Sequence, residues 1–399
     1  MSSTGQNMSG GAREMHVLTL TPFYPTEKDD AIGCFVSEPL AWFAKAGVAK
    51  GVHNTVFAVQ PIYRAKPRPS ASAVPAEWLQ YFSLPGGLGL PSAGAFLFAR
   101  LVGRVRKLHA SQPVDLIHAH APLPCGHAAK LLSAELNIPY AVSVHGLDAF
   151  STVQVPGRAG EWSRRVSRRV YRSSRRVICI SERVREAVLE GTAGSCRTSV
   201  VYNGVDPELF SPAANSSSAA PIILSVGNLI PTKGHAVLIR AAAALAPEFP
   251  TLQWEIIGEG PEHDRLQKLC TQLQIADKVR FLGRQSRKQV AVAMQRSTLF
   301  ALPSSYEGLG CVYLEAMSTG KPAIGCRGQG IAEVIQHGSN GFLVGPDNDR
   351  ELALAIAMLL KDETRRQNIS RAARDTILDR FTLARQAESL ARIYREAAE

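Results

Sequence analysis

Two tandem α/β units, each a parallel sheet with helices on both faces, are the fold class this sequence predicts. Three observations carry that expectation. Short β-rich runs alternate with helical patterns from residue 16 onward, as in parallel sheets covered on both sides. The stretch SPAANSSSAAP (211–221) is a low-complexity Ser/Ala/Pro linker, after which the alternation restarts. The length of 399 residues is long for one core and suits two domains.

In order, HVLTL (16–20) predicts a buried strand, followed by a long loop to Gly33. A helix is expected from near Ser37, with Glu38 and Pro39 in its first turn. TVFAV (55–59), VDLIHAH (114–120), YAVSVH (140–145) and VICIS (177–181) read as further strands, with GHAAKLLSAEL (126–136) helical between two of them. After the linker, IILSVG (222–227), LQWEIIG (252–258), VRFLG (279–283), TLFALP (298–303) and KPAIGC (321–326) read as strands with helices between. The tail FTLARQAESLARIYREAA (381–398) is one amphipathic helix by the spacing of Leu383, Ala387, Leu390 and Ile393. The expected N-terminal unit is 14–211 with helix 383–399 joined to it, and the C-terminal unit is 212–382. Ligands of such sheets bind at the carboxyl ends of the strands.

Apolar content of 45% and charged content of 20% are those of a soluble globular chain. The seven cysteines (34, 125, 179, 196, 270, 311, 326) form no C-x-x-C pair. That favours reduced thiols over a disulfide framework or a zinc site. The best apolar run, SAGAFLFARLVG (92–103), contains Arg100 and falls short of the ~20 residues a membrane span needs. The leading SSTGQNMSGG has no apolar core and does not read as a secretory signal. A cytoplasmic location, peripheral at the inner face of the membrane, is the expectation.

Net charge is +11, with much of the excess in RRVSRRVYRSSRRV (164–177). Val166, Val170 and Val177 form one stripe, while Arg164, Arg165, Arg168, Arg169, Arg172, Arg175 and Arg176 fill the rest. Two readings stand side by side: a solvated helix face, or a surface for anionic lipid or another polyanion. Nucleic acid is not expected, because no recognised nucleic-acid module accompanies the patch.

The chemistry concentrates in SSYEGLGCVYLEAM (304–317), where Glu307 and Glu315 lie eight apart around a Gly-Leu-Gly break. Gly308 and Gly310 permit close approach of backbone to a ligand. A helix beginning near Gly310 or Cys311 would aim the amides of Gly310, Cys311 and Val312 at an anion. The two carboxylates would then flank it, each suited to hydroxyl groups.

This run resembles the E-x7-E motif of the retaining, GT-B-fold glycosyltransferases of family 4. The resemblance implies two Rossmann-like domains facing each other across a cleft. It also implies that Glu307 contacts donor-sugar hydroxyls and Glu315 the nucleotide ribose. SVGNLIPTKGH (225–235) is similar to the family's diphosphate-binding loop: Gly227, Lys233 and Gly234 match, while Asn228 stands where the family commonly has arginine. SVHGLD (143–148) resembles the family's H-G-x-D, which implies that His145 sits beside the donor sugar. TPFYPTEKDDAIGCF (21–35) is similar to the first β–α loop, with Gly33 as the close-approach glycine. IGEGPEHDRL (257–266) implies Gly258 and Gly260 near the base, and YNGVDPELF (202–210) marks the domain junction. Gly308, Leu309, Gly310, Cys311 and Val312 complete the donor-binding set.

The expected reaction is metal-independent, retaining transfer of a hexosyl group from a UDP- or GDP-sugar to a glycan or lipid-linked hydroxyl, with no cofactor. Lys233 and the helix amides would stabilise the leaving diphosphate, and His145, Glu307 and Lys233 form the catalytic group. PFYP…GCF and HAHAPLPCGHAA look most like members that build exopolysaccharide or cell-wall polymers. A nucleotide-sugar epimerase on the same fold, and a nucleotide-sugar-binding protein without transferase activity, remain as alternatives. His118, His120, Cys125 and His127 lack a structural-zinc spacing. Asp347-Asn-Asp349 precedes a helical pattern and is read as capping.

Overall fold

The computed structural model describes residues 14–44, 51–65, 67–68, 74–85, 87–150, 155, 157–213 and 220–399. Most of the Ser/Ala/Pro linker therefore lies outside the described residues.

The first unit runs β1 (Met15–Thr21), α1 (Cys34–Ala44), β2 (Val52–Pro61), β3 (Ala76–Tyr81) and α2 (Leu90–Ser111). It continues through β4 (Leu116–His120), α3 (His127–Leu136), β5 (Tyr140–Val144), α4 (Gly157–Ser173), β6 (Arg176–Cys179), α5 (Glu182–Thr192) and β7 (Thr198–Val200). Its seven strands pair in the order β3-β2-β1-β4-β5-β6-β7, all parallel.

The second unit runs β8 (Ile222–Val226), α6 (His235–Leu245), β9 (Gln253–Ile257), α7 (His263–Gln272), β10 (Val279–Phe281) and α8 (Arg287–Arg296). It continues through β11 (Leu299–Ala301), α9 (Cys311–Ser318), β12 (Ala323–Cys326), β13 (Gly341–Val344), α10 (Asp349–Lys361) and α11 (Glu363–Arg380). Its six parallel strands pair as β10-β9-β8-β11-β12-β13. The last helix, α12 (Leu383–Ala398), returns to the first unit.

Period-two alternation explains how each strand serves two cores. Leu18 and Leu20 pack with Leu97, Leu101, Leu132 and Val170 on one face of the first sheet. Val17 packs on the other face with Val36 and Leu40 of α1 and with Leu390 and Tyr394 of α12. Each large side chain so buried is worth about 1.5–3 kcal/mol. Among the residues holding α12 in place, Tyr394 Oη also hydrogen-bonds His118 Nδ1 at 2.8 Å.

Two expectations are corrected. The first helix starts at Cys34 rather than near Ser37, and Pro39 lies inside it. The turn is set by Gly33, whose left-handed backbone (φ +72°) and carbonyl, accepting from Val36 N at 2.9 Å, open the helix three residues early. Strands β3, β7 and β13 were not foreseen; the last two are only three and four residues long.

In both sheets the strand order reverses beside the first strand: β1 neighbours β4, and β8 neighbours β11. The crevice outside the carboxyl ends of the strands at such a reversal is where open α/β sheets bind ligands. The loops bearing Gly33, Lys233 and Glu307 follow β1, β8 and β11.

Candidate active site

The β8–α6 and β11–α9 loops close on each other at the second sheet's reversal. Gly234 adopts φ +72°, and a Cβ there would stand 2.1 Å from the Pro303 carbonyl oxygen. Only glycine allows that approach. Ser305 N donates to Thr232 O at 2.9 Å beside it. Lys233 Nζ consequently reaches Glu307 Oε1 at 2.6 Å, with the carboxylate side chain 8% exposed and the lysine 22%.

Helix α9 begins at Cys311, with Gly310 as its N-cap at φ +89°. A Cβ on Gly310 would strike the Tyr313 ring at 2.6 Å. Glu315 is the fifth residue of this helix and is 4% exposed. A buried carboxylate needs a partner, and here it is Arg287 Nη1 at the start of α8.

The remaining expected residues fall around this pair. Gly227 N donates to Ile257 O at 2.9 Å, and Asn228 is exposed beside it. Gly258 and Gly260 lie on the loop after β9, where Leu229 N donates to Glu259 O at 2.8 Å. Leu309 is buried, Val312 half-buried, and Cys311 Sγ accepts from Asn203 Nδ2 at 3.3 Å.

Gly308 meets the first unit directly. Its carbonyl accepts from Ser181 Oγ at 2.6 Å, and a Cβ at 308 would stand 2.8 Å from the His145 carbonyl oxygen. His145 therefore presents its backbone to the Glu307 loop. Its ring is packed by Phe35, centroids 4.6 Å apart, and its Nε2 hydrogen-bonds His120 Nδ1 at 3.0 Å. Burial holds the His145 imidazole down to about 3, so the ring is neutral at physiological pH. His118 is likewise held to about 3 by burial and bonds Ser143 Oγ at 2.7 Å. Asp148 accepts from His145 N at 2.9 Å, and burial lifts its carboxyl to about 7.

Several cross-cleft residues carried no sequence signal. Asp29 pairs with Arg284, Asp30 accepts from Arg287 N at 3.2 Å, and Glu38 takes a fork from Arg287 at 2.9 and 3.0 Å. On the opposite side, Glu333 accepts from Glu182 N at 2.8 Å, Arg183 N at 2.9 Å and Tyr202 Oη at 3.0 Å. The Asp347–Asp349 triplet caps α10 through Asn348, which accepts from Glu351 N at 3.0 Å.

On α4 the arginines divide. Arg168 and Arg172 are tied to the end of α5, donating to Gly191 O at 2.6 Å and Ser195 Oγ at 2.7 Å. Arg158, Arg165 and Arg169 project to the surface beside the exposed Trp162. No helix among the described residues is long and apolar enough to cross a membrane.

Comparison with known proteins agrees with this architecture. The model of the family "Glycosyltransferase Family 4" matches residues 42–209, and that of "Glycosyl transferases group 1" matches residues 208–376. N-acetyl-alpha-D-glucosaminyl L-malate synthase of Bacillus anthracis is 28% identical over 292 residues, 70% of this chain and 74% of the relative. Alpha-D-kanosaminyltransferase of Streptomyces kanamyceticus is 27% identical over 343 residues, 81% and 86%. Among solved structures, sucrose-phosphate synthase from Thermosynechococcus elongatus superposes with a TM-score of 0.76 at 21% identity, covering 96% of this chain and 98% of that one. HepE of Anabaena, in complex with UDP and glucose, superposes with a TM-score of 0.74 at 22% identity, covering 96% and 100%. With its two halves matched in sequence and its two sheets matched in space, the chain belongs to glycosyltransferase family 4 and has the GT-B fold.

Proposed function

We propose that this glycosyltransferase moves a hexosyl group, with retention, from a UDP- or GDP-sugar to a glycan or lipid-linked hydroxyl. The observation that carries the reading is Lys233 Nζ held 2.6 Å from Glu307 at the mouth of α9. In that position an ammonium and the first amides of a helix converge where a departing diphosphate would develop charge. Neither needs a metal to act. Glu307 positions the sugar and Glu315 the ribose, while Gly33 and Gly308 line the approach from either unit. Asn228 supplies no second cation, so Lys233 is the charged residue of its loop that meets the diphosphate.

His145 is neutral, with a half-buried ring packed against Phe35, so its contribution is its backbone and the packing of the sugar subsite. Front-face departure of the leaving group, with a phosphate oxygen taking the acceptor proton, suits a site whose imidazole is only weakly basic. The UDP, glucose and UDP-glucose bound by HepE favour a uridine donor. The arginines exposed on α4, with Trp162 among them, favour an acceptor presented at an anionic membrane in exopolysaccharide or envelope synthesis.

A thermal-shift panel of UDP- and GDP-sugars at low salt tests the donor. One nucleotide sugar should stabilise the protein by the mass-action increment its affinity dictates. No shift from any of them would overturn the donor reading.

A further inference from the structure

Glu315 sits in an otherwise apolar helix, 4% exposed, and its orientation is not fixed by α9 alone. Arg287 fixes it. The guanidinium donates through Nη1 to Glu315 Oε1, and through Nε and Nη2 to the two oxygens of Glu38 on α1, at 2.9 and 3.0 Å. Its own backbone N donates to Asp30 at 3.2 Å, and Cζ lies 4.9 Å from the Phe210 ring centroid. Three separate segments thus restrain one side chain that is itself 11% exposed, and a fourth holds its backbone. A planar group with five donors in a rigid fork can meet two carboxylates at once; a lysine ammonium cannot hold the same geometry.

We propose that Arg287 is the positioning residue of the nucleotide site: it holds Glu315 in the orientation that receives the ribose hydroxyls, and its grip on Glu38 of the opposite unit ties that orientation to closure of the cleft. The inference rests on the reading of Glu315 as the ribose ligand. A carboxylate offers about four lone-pair sites, and the described contact with Arg287 uses one oxygen. The other oxygen is left for a vicinal diol. The ligand chemistry is therefore a nucleoside diphosphate with an intact ribose, and Arg287 acts through Glu315 without touching the reacting atoms.

The test uses the full chain at pH 8 and low salt, titrated calorimetrically with UDP, GDP and their 2′-deoxy counterparts. Wild type should bind the ribonucleotide of the preferred base roughly tenfold or more tightly than its deoxy form, since a hydrogen bond to a charged group is lost. Arg287→Met should collapse that ratio by weakening the ribonucleotide more than the deoxy form, and Arg287→Lys should restore little of it. Arg287→Met/Glu38→Met, which removes the orphaned carboxylate, should show the same collapse if the single variant folds poorly. An undiminished ratio in either folded variant overturns the proposal, as does equal weakening of both nucleotides. A wild-type ratio near one that Glu315→Gln leaves unchanged overturns the ribose reading itself, and the proposal with it.

Discussion

Removing the Glu333 carboxylate should loosen the cleft measurably. Helix α5 begins at the cleft, and its N-terminal amides have no partner inside the helix. Ser181 Oγ takes Val184 N at 3.2 Å and also donates to Gly308 O at 2.6 Å. The amides of Glu182 and Arg183 go instead to Glu333, from the opposite unit, at 2.8 and 2.9 Å. Hydrogen bonds to a charged group are worth about 1.5–3 kcal/mol each, but in an open cleft water would replace most of that. A capping interaction measured against water retains about 0.5–2 kcal/mol, and the charge at the helix N-terminus adds about 0.3–1 kcal/mol. With Tyr202 Oη at 3.0 Å as a third donor, closure is favoured by about 2–4 kcal/mol, or ~30- to 1,000-fold in the closed-to-open ratio. Glu333→Ala should therefore enlarge the radius of gyration of the ligand-free protein in solution scattering and raise the donor KM at least tenfold. Because Ser181 grips the Glu307 loop from the same helix end, kcat should fall as well. An unchanged radius of gyration and donor KM would refute the reasoning.

Three further outcomes follow from the same structure. Lys233→Met should lower kcat by ~10²–10³-fold, the cost of one preorganised group facing a developing anion, as read in a nucleotide-release assay. Burial lifts the Glu38 carboxyl to about 7 against the opposing pull of Arg287, with Glu315 and Asp206 reinforcing the rise. A carboxyl raised in the fold stabilises it below its ordinary value of 4.5, and that stability is lost as pH climbs through 7. Urea unfolding should thus show wild type losing up to about 3 kcal/mol relative to Glu38→Gln between pH 5 and 8; parallel curves would contradict it. Charge reversal at Arg158, Arg165 and Arg169 should weaken binding to anionic vesicles at low salt, at about 1 kcal/mol per cation removed. Reversal confined to Arg168 and Arg172, which are tied to α5, should act mainly on stability.

What was legible in the sequence was what local pattern encodes. The buried strands are apolar runs, α12 repeats its apolar residues at helical spacing, and the Glu307–Glu315 motif is contiguous with the glycines that shape it. The short β7 and β13 offer too few residues for a periodic signal, and β3 has a largely half-exposed pattern. The start of α1 was misplaced because Pro39 looked like a first-turn proline, whereas Gly33 sets the turn. Illegible altogether were the pairs that span the cleft. Arg287 and Glu38 are 249 residues apart, and Glu333 and Glu182 are 151 apart. Nothing local distinguishes such charges from solvated ones. The histidine at 145 stands out in the sequence through its H-G-x-D motif, but its surroundings, Phe35 and His120, come only from the assembled fold.

The division of labour between the two motif glutamates is the heart of the account. It is tested by measuring nucleoside-diphosphate affinity and sugar transfer side by side in Glu307→Gln and Glu315→Ala. Glu307→Gln should bind the nucleotide within about threefold of wild type while transfer falls by ~10²-fold or more. Glu315→Ala should weaken the nucleotide itself by roughly tenfold or more. Equal loss of nucleotide affinity in the two variants would contradict it.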